Sequence, residues 1–130
     1  MRKIKILLII CMLTLSACSS LNEVDDASAP RYGIYTEDRY NALIGKQQFT
    51  VFFYASWDPN SLEIDKGLNG GISYFPKNTV ILRANYDEEF GLKKMYGVTS
   101  QSSFVIIDKD GKLKEKLAGP TSEILKSKLK

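Results

Sequence analysis

The strongest constraint on the fold is an uninterrupted run of β-branched and aromatic residues from Phe49 to Tyr54. Such a run, which lacks the alternation of a half-exposed strand, is typical of a strand that is covered on both faces. From Gln48 onward, helical and strand-like segments follow one another in the order β-α-β-α-β-β-α. We therefore expect an α/β fold, in which helices flank a mixed central β-sheet on both faces.

Capping residues predict where the first and last helices of this domain begin. Thr36 is followed by acidic residues and an apolar pattern, which predicts a helix from Glu37 to Leu43. Gly119-Pro120-Thr121 breaks the chain and caps a last helix, and three side chains of that helix are expected to face inward: Ile124, Leu125 and Leu129.

Periodicity and turn signals predict the elements in between. A helix with one apolar face is indicated by spacings of four, four and three residues between Ile64, Leu68, Ile72 and Phe75. Thr79 to Ala84 is the next predicted strand, and Asp87 is expected to cap a short helix that ends near Tyr96. An Asp-Gly turn then predicts a hairpin, whose strands are Ser103 to Asp108 and Lys112 to Leu117.

Residues 1–17 have the pattern of a secretory signal peptide. A basic segment precedes the apolar run Ile6 to Leu15, which is shorter than the roughly 20 residues that span a bilayer. The sequence Leu15-Ser16-Ala17-Cys18 resembles the lipobox of bacterial lipoproteins. That resemblance implies lipidation of Cys18 and cleavage before it. An ordinary signal peptide with an incidental cysteine and an uncleaved anchor are the alternatives.

The predicted organisation is a signal peptide over 1–17, a lipidated tether over 18–30 and one domain over 31–130. The tether is polar and lacks periodicity. The only cysteines are Cys11 and Cys18. Because Cys11 would leave with the signal peptide and Cys18 would carry lipid, we expect no free thiol and no disulfide in the mature domain.

Charge argues against a nucleic-acid partner. The chain has 18 basic and 15 acidic residues, but removing Arg2, Lys3 and Lys5 leaves equal numbers. The mature protein is therefore expected to be nearly neutral. Residues 112–130 are lysine-rich, which fits either a solvated last helix or contacts with anionic lipid headgroups.

Residues 49–130 resemble the thioredoxin family over almost their full length. The similarity rests on the order and spacing of several short segments, followed by the hairpin and Gly119: Phe53-Tyr54-Ala55-Ser56-Trp57, Asn85-Tyr86-Asp87 and Tyr96-Gly97-Val98. The resemblance implies a thioredoxin-like fold. It also implies a site at the start of the helix that follows Trp57.

The same resemblance shows that four family features of the redox site are replaced. Where the family has Cys-x-x-Cys, this chain has Asp58-Pro59-Asn60-Ser61, and neither a carboxylate nor a hydroxyl can exchange electrons as thiols do. Asp58 and Pro59 instead suit an N-cap and a first helical residue. Phe52 stands at the position of the family's buried carboxylate. Ser102 replaces its cis-proline, so we expect a trans peptide bond before Ser102.

We therefore expect a protein that is not an enzyme and binds no cofactor or metal. The absence of histidine argues against His-dependent catalysis and against zinc or haem sites. The leading hypothesis is a membrane-tethered binding module of the cell envelope whose groove holds an unidentified envelope protein or peptide. The residues proposed for that groove are Trp57, Asp58, Pro59, Asn60, Ser61 and Ser102, together with the rest of the loop 100–103.

Three alternatives are also compatible with the sequence. The protein could be related to envelope thiol–disulfide oxidoreductases and act with a cysteine-bearing partner. It could instead have a purely structural task in a larger complex, or Trp57 could simply pack against the domain. The expected location is the bacterial cell envelope, lipid-anchored. In a cell with two membranes this means the periplasmic face of the outer membrane, and otherwise the outer face of the cell membrane.

Overall fold

The computed structural model of the chain describes residues 29–130. The predicted signal peptide and most of the predicted tether, including Cys11 and Cys18, lie outside the described residues. Within residues 29–130, no helix is both long enough and apolar enough to cross a membrane.

The described residues form a mixed five-stranded sheet with helices on both faces, which confirms the predicted fold class. The strands are β1 (Tyr32–Ile34), β2 (Phe49–Tyr54), β3 (Ile81–Asn85), β4 (Ser103–Ile107) and β5 (Leu113–Ala118). The helices are α1 (Glu37–Leu43), α2 (Pro59–Gly71), α3 (Phe90–Tyr96) and α4 (Ser122–Lys128), and a 3-10 turn over Ile72–Tyr74 extends α2.

The strands lie in the order β1-β3-β2-β4-β5. β1 and β2 run parallel to β3, whereas β4 is antiparallel to both β2 and β5. The carboxyl ends of β1, β2 and β3 therefore meet at one end of the sheet, which we call the Trp57 end. The β4–β5 hairpin and the start of β1 lie at the opposite end.

Strand β2 is buried on both faces, as its composition predicts. Val51 and Phe53 pack with residues of α1 and α3 on one face of the sheet, including Leu43 and Leu92. Phe52 packs on the other face, in a cluster to which α2 and α4 contribute. Because each face has its own apolar cluster, β2 has no polar face and its sequence shows no alternation.

Two of the predicted caps are confirmed. The Thr36 side chain accepts a hydrogen bond from the backbone N–H of Arg39, and the Thr121 side chain accepts one from that of Ile124. The prediction that Ile124 faces inward is wrong, because its side chain is 47% exposed while Leu125 and Leu129 are buried.

The prediction that Asp87 caps α3 is also wrong. A turn intervenes, in which the N–H groups of Glu88 and Glu89 both bond to the Asn85 carbonyl, and α3 begins only at Phe90. The N-cap position falls on Glu89, whose side chain makes no capping hydrogen bond. The turn leaves the Asp87 carboxylate free to bond elsewhere at the Trp57 end.

Strand β1 is an element that the sequence did not predict. It has three residues and no apolar pattern, and its place depends on pairing with β3. Arg31, just before it, donates hydrogen bonds to the carbonyls of Phe75, Pro76 and Thr79. A strand held by such distant partners leaves little signal in its own sequence.

Candidate functional site

The site predicted from sequence begins at Asp58, which is the N-cap of α2. Its backbone is extended, and its Oδ2 atom accepts a hydrogen bond of 3.0 Å from the Ser61 N–H. Pro59 follows at the first helical position, where a missing N–H costs no intrahelical bond. The predicted helix start is confirmed.

Asp58, Ser61 and Ser102 are brought together by hydrogen bonds between their side chains. The Ser102 hydroxyl donates to Asp58 Oδ2 over 2.6 Å, and the Oγ atoms of Ser61 and Ser102 lie 2.7 Å apart. Ser61 Oγ also accepts from the Ala55 N–H at 3.2 Å.

These contacts fix the direction of the hydroxyl protons. A serine hydroxyl donates only one proton, and Ser102 uses its proton on Asp58. The bond between the two serines is therefore donated by Ser61 to Ser102. The result is a chain of hydrogen bonds that runs in one direction, from the Ala55 N–H through both hydroxyls to the carboxylate. We call these three side chains the Asp58 cluster: Asp58, Ser61 and Ser102.

Ser102 adopts a backbone conformation that is unusual for a residue with a side chain. Its φ is 57°, in the left-handed region, which costs a non-glycine residue about 1 kcal/mol or more. Its N–H donates to the Phe53 carbonyl and its own carbonyl accepts from the Gly119 N–H. All peptide bonds of the described residues are trans, so the predicted trans bond before Ser102 is confirmed.

The Asp58 cluster holds a negative charge. The hydrogen bond from Ser102 is the largest influence that lowers the pKa of Asp58, and bonds from the N–H groups of Ser61 and Asn60 lower it further. The carboxyl group is therefore ionised at neutral pH. The two ion pairs found within residues 29–130 join other residues, so the partners of Asp58 are neutral donors.

Trp57 lies next to Asp58 in the chain but bonds in another direction. Its indole N–H donates to Asp87 Oδ2 over 2.8 Å, while the side chain as a whole is 59% exposed. Asp87, which the sequence predicted as a helix cap, is thus a residue of the candidate site, and its proximity to Trp57 depends on how the β3–α3 turn folds. Pro59 and Asn60, the other predicted groove residues, are exposed in the first turn of α2.

The position that corresponds to the family's buried carboxylate is apolar in this protein. Phe52 is fully buried and stacks on Phe104, with ring centroids 4.6 Å apart and an interplanar angle of 11°. An aromatic pair therefore occupies the place where the family resemblance puts a buried carboxylate. The described residues also contain no group of three His, Cys, Asp or Glu side chains placed to hold a metal ion.

Comparison with solved structures agrees with this architecture. Trxlp from Edwardsiella tarda superposes with a TM-score of 0.64 at 19% identity, over 75% of this chain and 97% of that one. Mitochondrial thioredoxin 3 from Saccharomyces cerevisiae gives 0.60 at 24% identity, over 71% and 85%. Thioredoxin NaTrxh from Nicotiana alata gives 0.63 at 18% identity, over 75% and 89%.

The protein thus has a thioredoxin-like fold. The chain matches no protein-family model and no curated protein significantly. At these identities the likeness to solved structures establishes the fold alone.

Proposed function

We propose that this protein is a redox-inactive binding domain of the cell envelope, tethered to a membrane through a lipid on Cys18. It holds an extended peptide, or a segment of a partner protein, beside Trp57. The observation that carries the proposal is the Asp58 cluster, because its hydrogen-bond chain fills the two positions where the resemblance to thioredoxins expects cysteines.

The redox half of the proposal is supported by the chemistry of that cluster. Thiol–disulfide exchange needs a thiolate that attacks a disulfide sulfur, and residues 29–130 contain no cysteine. The hydroxyl of Ser61 is buried and already occupied by Ala55 and Ser102. Both electrons and protons would have to come from thiols on another molecule.

The binding half is supported by what surrounds the cluster. Trp57 exposes most of its ring while Asp87 fixes its orientation, which suits a rigid aromatic contact. Within residues 29–130, the backbone N–H and carbonyl of Gln101 form no hydrogen bond. An extended peptide can pair with such a backbone segment, and the charge of Asp58 favours a basic side chain in that peptide.

A two-stage experiment tests the binding role. A photo-crosslinking amino acid placed at Ser56, an exposed position beside Trp57, captures the partner in intact cells. Equilibrium titration with the captured partner then compares the Trp57→Ala and Asp58→Asn variants with the unchanged protein. We expect each substitution to weaken binding by roughly tenfold or more. Tyr74→Ala is the matched control, since Tyr74 is an exposed aromatic residue that lies in a separate groove with Lys77 and Lys126. Unchanged affinity in both site variants would show that partners bind elsewhere.

An insulin-reduction assay on the full chain tests the rival oxidoreductase function. We expect no turnover above a reaction without protein, with or without an added dithiol-bearing partner. Reproducible turnover would replace our proposal with an enzyme function. Mass spectrometry of the chain isolated from membranes tests the anchor, since diacylglycerol on Cys18 adds a defined mass that a Cys18→Ala variant lacks.

A further inference from the structure

The end of the domain opposite Trp57 gathers several segments that are distant in sequence. The Gly45 N–H, after α1, donates to the carbonyl of Lys109 in the β4–β5 hairpin over 2.5 Å. Arg31, where the chain leads into β1, bonds to the carbonyl of Pro76. A cleft of about 240 Å³ at this end is lined by Phe49, Thr79 and Lys130, so the last helix also finishes here.

This end of the molecule is basic. Of six lysines at this end, five are exposed and one, Lys126, is half-buried, and the exposed Lys114 lies nearby, bonded to the Gln48 side chain. The acidic residues nearby are Asp108, Asp110 and Glu123, and Asp108 Oδ1 is already occupied by two backbone N–H groups of its own turn. We define the basal face by its lysines, which are Lys46, Lys77, Lys109, Lys112, Lys126 and Lys130.

The Trp57 end carries the opposite charge. The loops that follow β1, β2 and β3 are rich in carboxylates. Burial raises the pKa of the Tyr35 hydroxyl, and the nearby carboxylates of Glu89 and Glu37 raise it further. The molecule is therefore polarised along its strands. The acidic residues of the Trp57 end are Glu37, Asp38, Asp58, Asp87, Glu88 and Glu89.

Exposed apolar side chains accompany the lysines of the basal face. Tyr74 is 77% exposed, with the Lys126 ammonium 5.8 Å from its ring centroid, and both residues line one shallow groove with Lys77. Leu113, at the start of β5, is 44% exposed. An amphipathic tyrosine among lysines is typical of surfaces that lie at the interface between a bilayer and water.

We infer that the basal face docks on the anionic phospholipid headgroups of the membrane that carries the anchor. This inference rests on the proposed function for its tether, which reaches the domain at Pro30, next to the basal face. Only about twelve residues, 19 to 30, separate Cys18 from the domain, so a lipid on Cys18 keeps the lysines near the bilayer surface. Docking directs Trp57 and the Asp58 cluster away from the lipid, toward partners in the envelope.

The test measures which end of the domain touches lipid. The full chain, isolated from membranes, is reconstituted into vesicles of phosphatidylcholine alone or mixed with phosphatidylglycerol. Nitroxide labels are attached in Asn78→Cys, at the basal face, and in Ser56→Cys, at the Trp57 end. Relaxation of each label by a nickel chelate on the lipid headgroups reports contact. We expect contact at position 78 but not at 56, only on anionic vesicles, and its loss in about 1 M NaCl, where the Debye length is about 3 Å.

A pair of charge-matched variants identifies the lysines responsible. Lys109→Glu with Lys112→Glu should abolish the contact at position 78, because each basic residue near an anionic surface contributes about a fivefold gain in binding. Lys66→Glu with Lys94→Glu changes net charge equally but lies midway along α2 and α3, and should leave the contact in place. Equal contact at both labels, or contact that ignores lipid charge, would overturn the inference.

The experiment distinguishes a protein without the lipid anchor from a protein whose basal face does not contact the membrane. If Cys18 carries no lipid and the chain leaves the vesicles, the anchor of the proposed function is wrong. Sedimentation of that same chain with anionic vesicles at low salt then decides the inference by itself. Binding that the Lys109→Glu and Lys112→Glu pair abolishes would support it, and no binding would overturn it.

Discussion

Helix α2 carries two carboxylates that each accept a hydrogen bond from a hydroxyl group, but their surroundings differ. Asp58 accepts from Ser102, and Asp65 accepts from Tyr32 over 2.5 Å. Asp65 also forms an ion pair with Arg83 at 2.9 Å, whereas the partners of Asp58 are neutral. A carboxylate whose charge is balanced serves to tie elements together, whereas one that keeps its charge beside an exposed aromatic ring can also serve recognition.

The Asp65 contacts fasten the edge strand β1 to α2. Burial raises the pKa of Tyr32 well above its usual range, and the hydrogen bond to Asp65 raises it further, so the hydroxyl remains a donor. Burial opposes the charge on Arg83, but the hydrogen bond and the charge of Asp65 outweigh it and raise the pKa of Arg83. The guanidinium also lies 4.8 Å from the centroid of the Tyr54 ring. These contacts compensate for the short length of β1.

Of the substitutions that distinguish the two carboxylates, Asp65→Ala is expected to have the largest effect on stability. The substitution removes the partner of both Arg83 and Tyr32, and we expect the free energy of unfolding to fall by about 2 kcal/mol. Denaturant unfolding of the full chain measures it. Glu63→Ala, an exposed change on the same helix, is the control and should stay within about 0.5 kcal/mol. An equal loss of unfolding free energy in both variants would show that Asp65 does not hold β1 to α2.

A somewhat smaller loss is expected for Ser61→Ala in the Asp58 cluster. Without this buried hydroxyl the Ala55 N–H has no acceptor, which costs about 1–2 kcal/mol. Ser73→Ala, at an exposed serine just beyond α2, provides the matched control. If Ser61→Ala proves neutral, the hydrogen-bond chain contributes nothing to stability.

The charge of Asp58 should also be visible as a pH dependence. Its pKa is lower in the folded state than its ordinary value of about 3.9, so its contribution to stability is present above that value. The contribution disappears as the pH falls through the folded-state pKa. We therefore expect the stability difference between the unchanged protein and Asp58→Asn to be larger at neutral pH than at about pH 3. A difference that is constant with pH would mean that Asp58 is not held ionised by Ser102.

The smallest expected effect is that of Asp87→Ala, which frees the indole of Trp57. Because Asp87 is exposed, the free energy of unfolding should change by less than about 0.5 kcal/mol. Trp57 is the only tryptophan of the chain, so fluorescence anisotropy reports on its ring alone. We expect the anisotropy to fall as the ring gains freedom. An unchanged value would mean that packing, not Asp87, orients the ring.

Local signals in the sequence account for most of the fold. The apolar run of β2, the Thr36 and Thr121 caps and the turn at Gly111 each act over a few residues, so they could be recognised without tertiary contacts. Strand β1 and the side-chain contacts among Tyr32, Asp65 and Arg83 could not be recognised in this way. The residues that bond to one another there lie 18 to 48 positions apart in the chain. The prediction that Asp87 caps α3 was wrong for the same reason.

The candidate site shows the same difference between features set by adjacent residues and contacts between distant residues. The absence of a cysteine after Trp57 and the helix start at Asp58-Pro59 could be recognised from the sequence, since both are properties of adjacent residues. The fold in three dimensions was needed to show that Ser102, 44 residues away, donates its proton to Asp58 and has a left-handed backbone. It likewise gave Trp57 its partner in Asp87. These contacts could not be recognised from adjacent residues, because hydrogen bonds of 2.6 to 2.8 Å form only when the fold brings distant strands and loops to the right positions.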